Sequence, residues 1–397
     1  MNYNHVMNTY SPQEVTLVRG EGCFVYDDKG NRYLDFLCGI AVTSLGHAHP
    51  QVTQALQNQV GVISHVSNLF RNELVGELAA IIDQKISSAI RSATGSSVSG
   101  KVFFTNSGAE SIECAIKLTR KWAHGRRNLI VGIEKSFHGR TLGALSATGQ
   151  KDKQVNFEPL VPGFAHVRLN QPEDIDKVLG KDHAKDTLAA IILEPILGEA
   201  GVWPVDIEFA RELVATAKAN KALVICDEIQ TGLGRTGRWF GFERLAFEPD
   251  IVTLAKSLGN GFPIGACWAR SDIADAFVPS DHGSTFGGQP LACSAALATI
   301  RAIETNDLVA NARELGQWLI SQLGKVDGVA QVRGEGLLIG VELEEGIQAK
   351  KVSYKALTNG LIVNPIREST IRLAPPLILD MDLAKTGLEI LGEAISA

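Results

Sequence analysis

Residues 222–256 constrain this chain more than any other stretch, because they contain two apolar runs that each end in a charged residue. Ala222 to Cys226 leads straight into Asp227, and Ile251 to Ala255 leads straight into Lys256. Unbroken apolar runs of this length are expected of strands buried on both faces, as in parallel sheets. Open α/β sheets place their chemistry at the carboxyl ends of such strands. An acid and an amine are therefore expected on one edge of one sheet. Taken singly, an Asp after a strand is commonly a turn residue and a Lys there is commonly solvated. The information lies in the ordered pair.

The flanking sequence extends the pattern. Lys101 to Phe104, Leu129 to Gly132 and Leu188 to Leu193 read as strands, and helices are expected from Ser107 to a stop at Gly125, with Ile112, Ile116 and Thr119 on its apolar face, and at Ile207 to Lys218. Strands alternating with helices from 101 to 256 predict a mostly parallel sheet covered on both faces. After Lys256 a turning strand is expected through GNGFPIGACWAR, then a helix from Pro290 to about Ile303. Upstream, Cys23–Tyr26 and Arg32–Phe36 flank Asp-Asp-Lys-Gly-Asn as a hairpin. Helices are expected at 50–62 and 73–82, with the Ser- and Ala-rich residues 87–100 as a surface loop. Residues 1–20 read as an irregular arm. From about Leu308 the pattern changes to helix (308–323), short strands (328–343), helix (347–359) and strands near Leu361 and Ile371. The expected organisation is a large α/β domain over 60–300 and a small α+β domain built from 1–59 and 301–397.

Two patterns invite misreading. Gly232, Gly234 and Gly237 spell G-x-G-x-x-G, but Arg-Trp-Phe-Gly follows where a dinucleotide site needs a helix start, so a glycine-rich loop is expected. His47 and His49 have metal-like spacing without an accompanying carboxylate or cysteine cluster, and a turn before Pro50 is the better reading. The six cysteines are scattered with no C-x-x-C, as expected of reduced core thiols in a cytoplasmic protein. A net charge of −6 argues against nucleic-acid and anionic membrane partners. No export signal or apolar run of spanning length is visible, and no metal site is expected.

One cofactor chemistry asks for the Asp227–Lys256 pair. Pyridoxal 5'-phosphate needs a lysine amine for its aldehyde and an acidic partner for its ring nitrogen. Ser107-Gly108-Ala109 stands at an expected helix N-terminus, where free amides and the dipole favour an anion. Simple capping by Ser107 explains that position equally well.

The segments Asp-Glu-Ile-Gln-Thr-Gly (227–232) and Ala-Lys-Ser-Leu-Gly-Asn-Gly (255–261) resemble those of class III (ω-amino acid) aminotransferases of the aspartate aminotransferase fold, known as fold type I. The resemblance runs from about Tyr10 to Pro376. It implies that Lys256 and Asp227 are catalytic. Ser107, Gly108 and Ala109 would cup the cofactor phosphate, although Ala109 departs from the threonine common there. Phe137 would stack on the ring, Ile229 would pack on its other face, and Gln230 would contact its 3-hydroxyl oxygen. Arg140 would grip a distal substrate carboxylate, and Arg372, in Ile-Arg-Leu-Ala-Pro-Pro, an α-carboxylate. Glu199 would neutralise Arg372 when no α-carboxylate is bound. Ser284 and Thr285, in Gly-Ser-Thr-Phe-Gly-Gly-Gln-Pro, would complete the phosphate cup of a neighbouring subunit, implying a homodimer with shared sites. The expected reaction moves a terminal amino group to 2-oxoglutarate. N2-acetylornithine is the expected donor because apolar Ile40 offers no partner to a free α-ammonium and because GIAVTSLGHAHP, FHGRT and GSTFGGQPL point the same way. Succinylornithine, ornithine and 4-aminobutyrate stay open.

Overall fold

A computed structural model describes residues 5–396 and the side chains of all of these except 181–186. The central sheet has seven strands. In chain order these are β1 (Gly100–Thr105), β2 (Leu129–Ile133), β3 (Phe164–Val167), β4 (Leu188–Leu193), β5 (Leu223–Asp227), β6 (Ile251–Leu254) and β7 (Gly265–Arg270). Their spatial order is β1-β7-β6-β5-β4-β2-β3. β7 runs antiparallel to both neighbours, and the other strands share one direction.

Register decides where the chemistry emerges. Cys226 pairs with Leu193 and with Val252, and Asp227 pairs with Thr253. The ends of β4, β5 and β6 are thus level, and Glu194, Asp227 and Lys256 leave the sheet along one edge. Alternation along the strands splits the core between the faces, as a period of two requires. Ile192, Leu223, Ile225 and Ile251 pack with Ile112 and Ile116 of the helix Gly108–Trp122. Val131, Leu193, Val224 and Val252 join the larger cluster on the other face. Asp227 continues the Leu223–Ile225 face, so its side chain lies on the side where the helix Gly108–Trp122 begins.

Two four-stranded sheets and a two-stranded ladder, Ile196–Leu197 with Trp203–Pro204, lie outside the central one. Leu17–Glu21, Phe24–Asp27 and Arg32–Asp35 are joined by Leu361–Ile362, which ties the first residues of the chain to its last third. Val329–Glu335, Leu338–Leu343, Thr370–Leu373 and Asn364–Pro365 form the other, with Arg372 opposite Gly340 and Asn364.

Several expectations need correction. The second helix runs from Glu73 to Thr94, so the loop expected at 87–100 shrinks to the residues around Gly95. Ile86, Ala89 and Ile90 continue the buried stripe of Leu78 and Ile82, and the small residues between them do not stop a helix. Gly95, at φ 78°, supplies the left-handed cap that does. The arm expected over 1–20 contains a strand from Leu17, while residues 1–4 lie outside the described residues. A helix at Met381–Ile395, capped by Asp380 through Leu383 N at 2.8 Å, was not anticipated. Gly232 to Gly237 lie in turns, as read from the sequence.

Leu37 leads into an unusual turn. Cys38, Gly39, Ile40 and Ala41 all have positive φ (51°, 59°, 69° and 59°), which is one turn of left-handed helix. For L-residues this conformation costs roughly 1–2 kcal/mol each, and a β-branched residue such as Ile40 suits it least. Asp35 holds the turn by accepting from Leu37 N at 2.9 Å and Cys38 N at 2.8 Å, while Cys38 and Ala41 are buried. Among the described residues no helix is long and apolar enough to cross a membrane.

Candidate active site

A cavity of about 400 Å³ opens at the carboxyl edge of the sheet. Ser107, Gly108, Ala109, Phe137, Arg140, Asp227, Ile229, Gln230 and Lys256 all line it, as do His138, Glu194 and Val42. Glu199 and Arg372 are one contact away, because Gln230 Oε1 accepts from Arg372 Nη1 at 3.0 Å. The same Nη1 donates to Glu199 Oε1 at 2.5 Å. Gly198 is required at this approach, since a Cβ there would meet Gln230 Oε1 at 2.1 Å. Ser284 and Thr285 do not line the cavity of their own chain. Ser284 Oγ accepts from Asn106 Nδ2 at 3.1 Å, and Thr285 is exposed, its carbonyl shared by His65 Nε2 at 2.9 Å and Gln289 Nε2 at 3.3 Å.

The cup at the helix N-terminus is built from backbone. Ser107 is extended and caps Glu110 N at 3.3 Å, leaving the amides that follow it directed toward the cavity. Gly108 is pressed against Ile229, so a Cβ would fall 2.9 Å from Ile229 Cδ1. Downstream on the same helix, Glu113 Oε1 accepts from Thr141 Oγ1 (2.6 Å), Gly143 N (2.9 Å) and Ala144 N (3.1 Å). That carboxylate fixes the turn that presents Arg140, whose guanidinium lies 5.6 Å from the Phe137 ring centroid.

Asp227 is held on every side. Its Oδ1 accepts from Ile229 N at 3.1 Å and Thr253 Oγ1 at 3.2 Å, and its Oδ2 meets His138 Nδ1 at 2.7 Å. Burial alone would lower the basicity of His138, but the Asp227 hydrogen bond and the charges of Asp227 and Glu194 raise it above the ordinary value. Glu194 accepts from Phe137 N at 2.9 Å, and burial raises its pKa, with Asp227 adding and His138 opposing.

Lys256 follows β6 in a left-handed conformation, φ 43°, a strained backbone of the kind concentrated at functional sites. Among the described residues its amine makes no hydrogen bond or ion pair. Burial is the main force lowering its pKa to about 8; Arg372 adds to this, while Glu199 and Asp227 oppose it. Glu199 is also shifted by competing forces. Burial raises its pKa, but Arg372 and Lys256 outweigh burial and hold it below the ordinary value.

His138, Glu194, Thr253 and Glu113 were not singled out from the sequence. Glu194 had a usable signal, since it ends β4 as Asp227 ends β5. His138 has none beyond its place after Phe137, and the other two act through contacts that no local pattern encodes.

The fit to a cofactor can be tested on these groups. A lysine amine free for covalent attachment faces a fixed carboxylate, with an amide cup for a phosphate and apolar Phe137 and Ile229 between them. Pyridoxal 5'-phosphate has the matching aldehyde, ring nitrogen, phosphate and flat ring. This fold and this site define a pyridoxal-phosphate-dependent transferase of fold type I. A family model described as aminotransferase class-III matches residues 6–395, and the chain belongs to that family. The acetylornithine aminotransferase of Aquifex aeolicus is 42% identical over 98% of this chain and all of its own length. That of Methanopyrus kandleri is 44% identical, over 98% of this chain and 97% of its own. Among solved structures, an ornithine aminotransferase from Toxoplasma gondii superposes with a TM-score of 0.90 at 32% identity, covering 99% of this chain and 92% of that one.

Proposed function

We propose that this enzyme moves the δ-amino group of N2-acetyl-L-ornithine to 2-oxoglutarate, giving N-acetylglutamate 5-semialdehyde and glutamate, a step of arginine biosynthesis. The observation that carries the reading is the buried Arg372–Glu199 pair, 2.5 Å apart and linked to the cavity through Gln230. An enzyme that alternates between a terminal amine and an α-amino acid must bind an α-carboxylate in one half-reaction and do without it in the other. Unpaired, a buried guanidinium costs several kcal/mol, so a partner carboxylate must be at hand. Glu199 supplies it. Ile40 offers no polar partner for a free α-ammonium, which favours an acylated donor, and the names of the relatives agree.

When bound, pyridoxal 5'-phosphate supplies an aldehyde that carries the amino group and an electron-poor ring that stabilises negative charge on the adjacent carbon. Lys256 holds the cofactor by its amine. With its amine free, Lys256 Nζ would be the base that takes a proton from the substrate carbon bearing the amino group and the acid that returns it in a 1,3-shift. Its depressed basicity suits both directions. Asp227, oriented by His138 and Thr253, would hold the ring nitrogen. Ser107, Gly108 and Ala109 would bind the phosphate through backbone amides, Phe137 and Ile229 would bracket the ring, and Gln230 would contact its 3-hydroxyl oxygen. Arg140 takes the distal carboxylate of either substrate, and its planar fork suits that group. Arg372 takes the α-carboxylate of glutamate when Glu199 releases it.

The chain is read as a cytoplasmic homodimer with shared sites, in which Ser284 and Thr285 complete the partner's phosphate cup. The exposure of Leu69, Phe70 and Phe286 supports a covered face there. The division into residues 60–300 against 1–59 plus 301–397 belongs to the same reading. A panel of N2-acetylornithine, N2-succinylornithine, ornithine and 4-aminobutyrate against 2-oxoglutarate tests the substrate. N2-acetylornithine should give the highest kcat/KM. Preference for free ornithine or 4-aminobutyrate would sink the assignment.

A further inference from the structure

Behind the loop that carries Glu199 lies a separate cavity of about 510 Å³. Lys135, Lys151 and Arg367 line it, together with Arg333 and Glu342. Arg333 and Glu342 satisfy one another at 2.7 Å. Lys135, Lys151 and Arg367 differ from these, because among the described residues none of the three has a carboxylate partner. The remaining acid in the lining, Asp152, is engaged by Lys153 at 3.7 Å. All three are exposed round one concavity, so a dianion can reach them together and would relieve their mutual repulsion.

One wall of the cavity is Ala200, the residue after Glu199. The two arginines hold that loop by its backbone. Arg367 Nη2 donates to the Glu199 carbonyl at 3.1 Å, and Arg333 Nε donates to the Gly201 carbonyl at 2.7 Å. Arg333 is also stacked 3.9 Å over the Trp203 ring. The loop that offers a carboxylate to Arg372 on one side is thus pinned by cations on the other. An anion entering the rear cavity competes with the Glu199 carbonyl for Arg367.

We propose that this cavity is a regulatory site for a small dianion, bound by Lys135, Lys151 and Arg367, whose occupancy shifts the Glu199–Arg372 pairing. The coupling rests on the two-arginine reading of the active site; the binding does not. Inorganic phosphate and succinate represent the two sources of such charge, a phosphate group and a dicarboxylate.

The test uses holoenzyme, in which bound cofactor already fills the phosphate cup, at constant ionic strength set with chloride. Isothermal titration with inorganic phosphate, and separately with succinate, should show saturable binding of one ion per chain. Lys135→Ala/Lys151→Ala should weaken it at least tenfold and Lys135→Arg/Lys151→Arg should retain it. Arg140→Ala should leave it unchanged. The source is the dianion retained in Arg140→Ala and lost in the lysine double variant. Heat lost in Arg140→Ala but kept in the lysine double variant would place the ion in the substrate site and overturn the proposal. So would the absence of saturable heat with both ions. For the coupling, saturating dianion should change the ratio of the glutamate and N2-acetylornithine half-reaction rates about threefold or more in wild type and not in the lysine double variant. Binding with an unchanged ratio in wild type would overturn the coupling. If Glu199→Ala separately fails to move that ratio, the two-arginine reading itself has failed.

Discussion

Asp227 lines the cavity and Arg372 lies one contact behind it; both are buried charges, but their surroundings are opposite. Both oxygens of Asp227 are occupied, by a histidine, a threonine hydroxyl and a backbone amide. Among the described residues Arg372 spends only Nη1, on Glu199 and Gln230, and its Nε and Nη2 are buried without a partner. Unsatisfied buried donors cost roughly 1–3 kcal/mol each, so their presence marks a place that expects a visitor. The difference divides labour. The group that tunes the chemistry is over-determined, and the group that recognises a changing substrate is left with spare valences.

Lys256→Ala should abolish turnover, since among the described residues no other lysine lines the cavity. Borohydride treatment of wild type followed by peptide mapping should find the cofactor fixed on the peptide containing Lys256. Fixation on a different lysine would overturn the whole site. Next, Asp227→Asn removes the charge and leaves the cage of His138, Thr253 and Ile229 able to hold the side chain. It should lower kcat more than tenfold, over ~1.4 kcal/mol, with the fold intact by circular dichroism. A variant keeping more than a tenth of the activity would show that the cage, not the charge, is what matters.

Changes at the less constrained site should be smaller and two-sided. Glu199→Ala should speed the glutamate half-reaction and slow the N2-acetylornithine one, a swing of about tenfold or ~1.4 kcal/mol. Arg372→Ala should do the reverse, damaging glutamate turnover and sparing the ω-amine. Equal slowing of both half-reactions in Glu199→Ala would reduce Glu199 to a structural carboxylate. The mildest expected effect is on pH. Lys256 is reactive as the neutral amine, and its pKa is lowered to about 8. Reconstitution of apoprotein with cofactor should therefore accelerate about fivefold from pH 7 to pH 8 and level off above pH 9. A rate still climbing tenfold per unit at pH 9.5 would mean that Lys256 is not depressed.

How much of this was legible depended on the reach of the forces involved. Asp227 and Lys256 could be read because each ends an apolar run, and strand register then does the rest. The helix beyond Ile82 was lost because Ser and Ala look like loop residues until the buried spacing of Ile86 and Ile90 is followed past them. The helix Met381–Ile395 went unrecognised although its Asp380 cap and buried Ala384, Gly387, Leu391 and Ala394 carry an ordinary helical signal. His138 and Thr253 were invisible for a different reason. Their roles exist only once β2, β5 and β6 are assembled, and hydrogen bonds between distant strands leave no periodic trace. The Arg372–Glu199 pair was anticipated by family likeness alone, since nothing local in either segment announces the other.

The left-handed turn at Cys38–Ala41 bears on how readily this enzyme could be redirected to other amines. At most active-site positions a change that alters function also costs stability, so engineered variants need a stabilised starting point. Position 40 is inverted. Its resident isoleucine is among the worst choices for a φ of 69°, whereas asparagine or glycine would relieve about 1 kcal/mol of backbone strain. Replacing Ile40, exposed just before the cavity-lining Val42, with asparagine or aspartate therefore adds a polar group there and also relaxes the backbone. At this one position, exploring new donors and firming up the fold pull in the same direction, and a library built there can start from the wild-type chain.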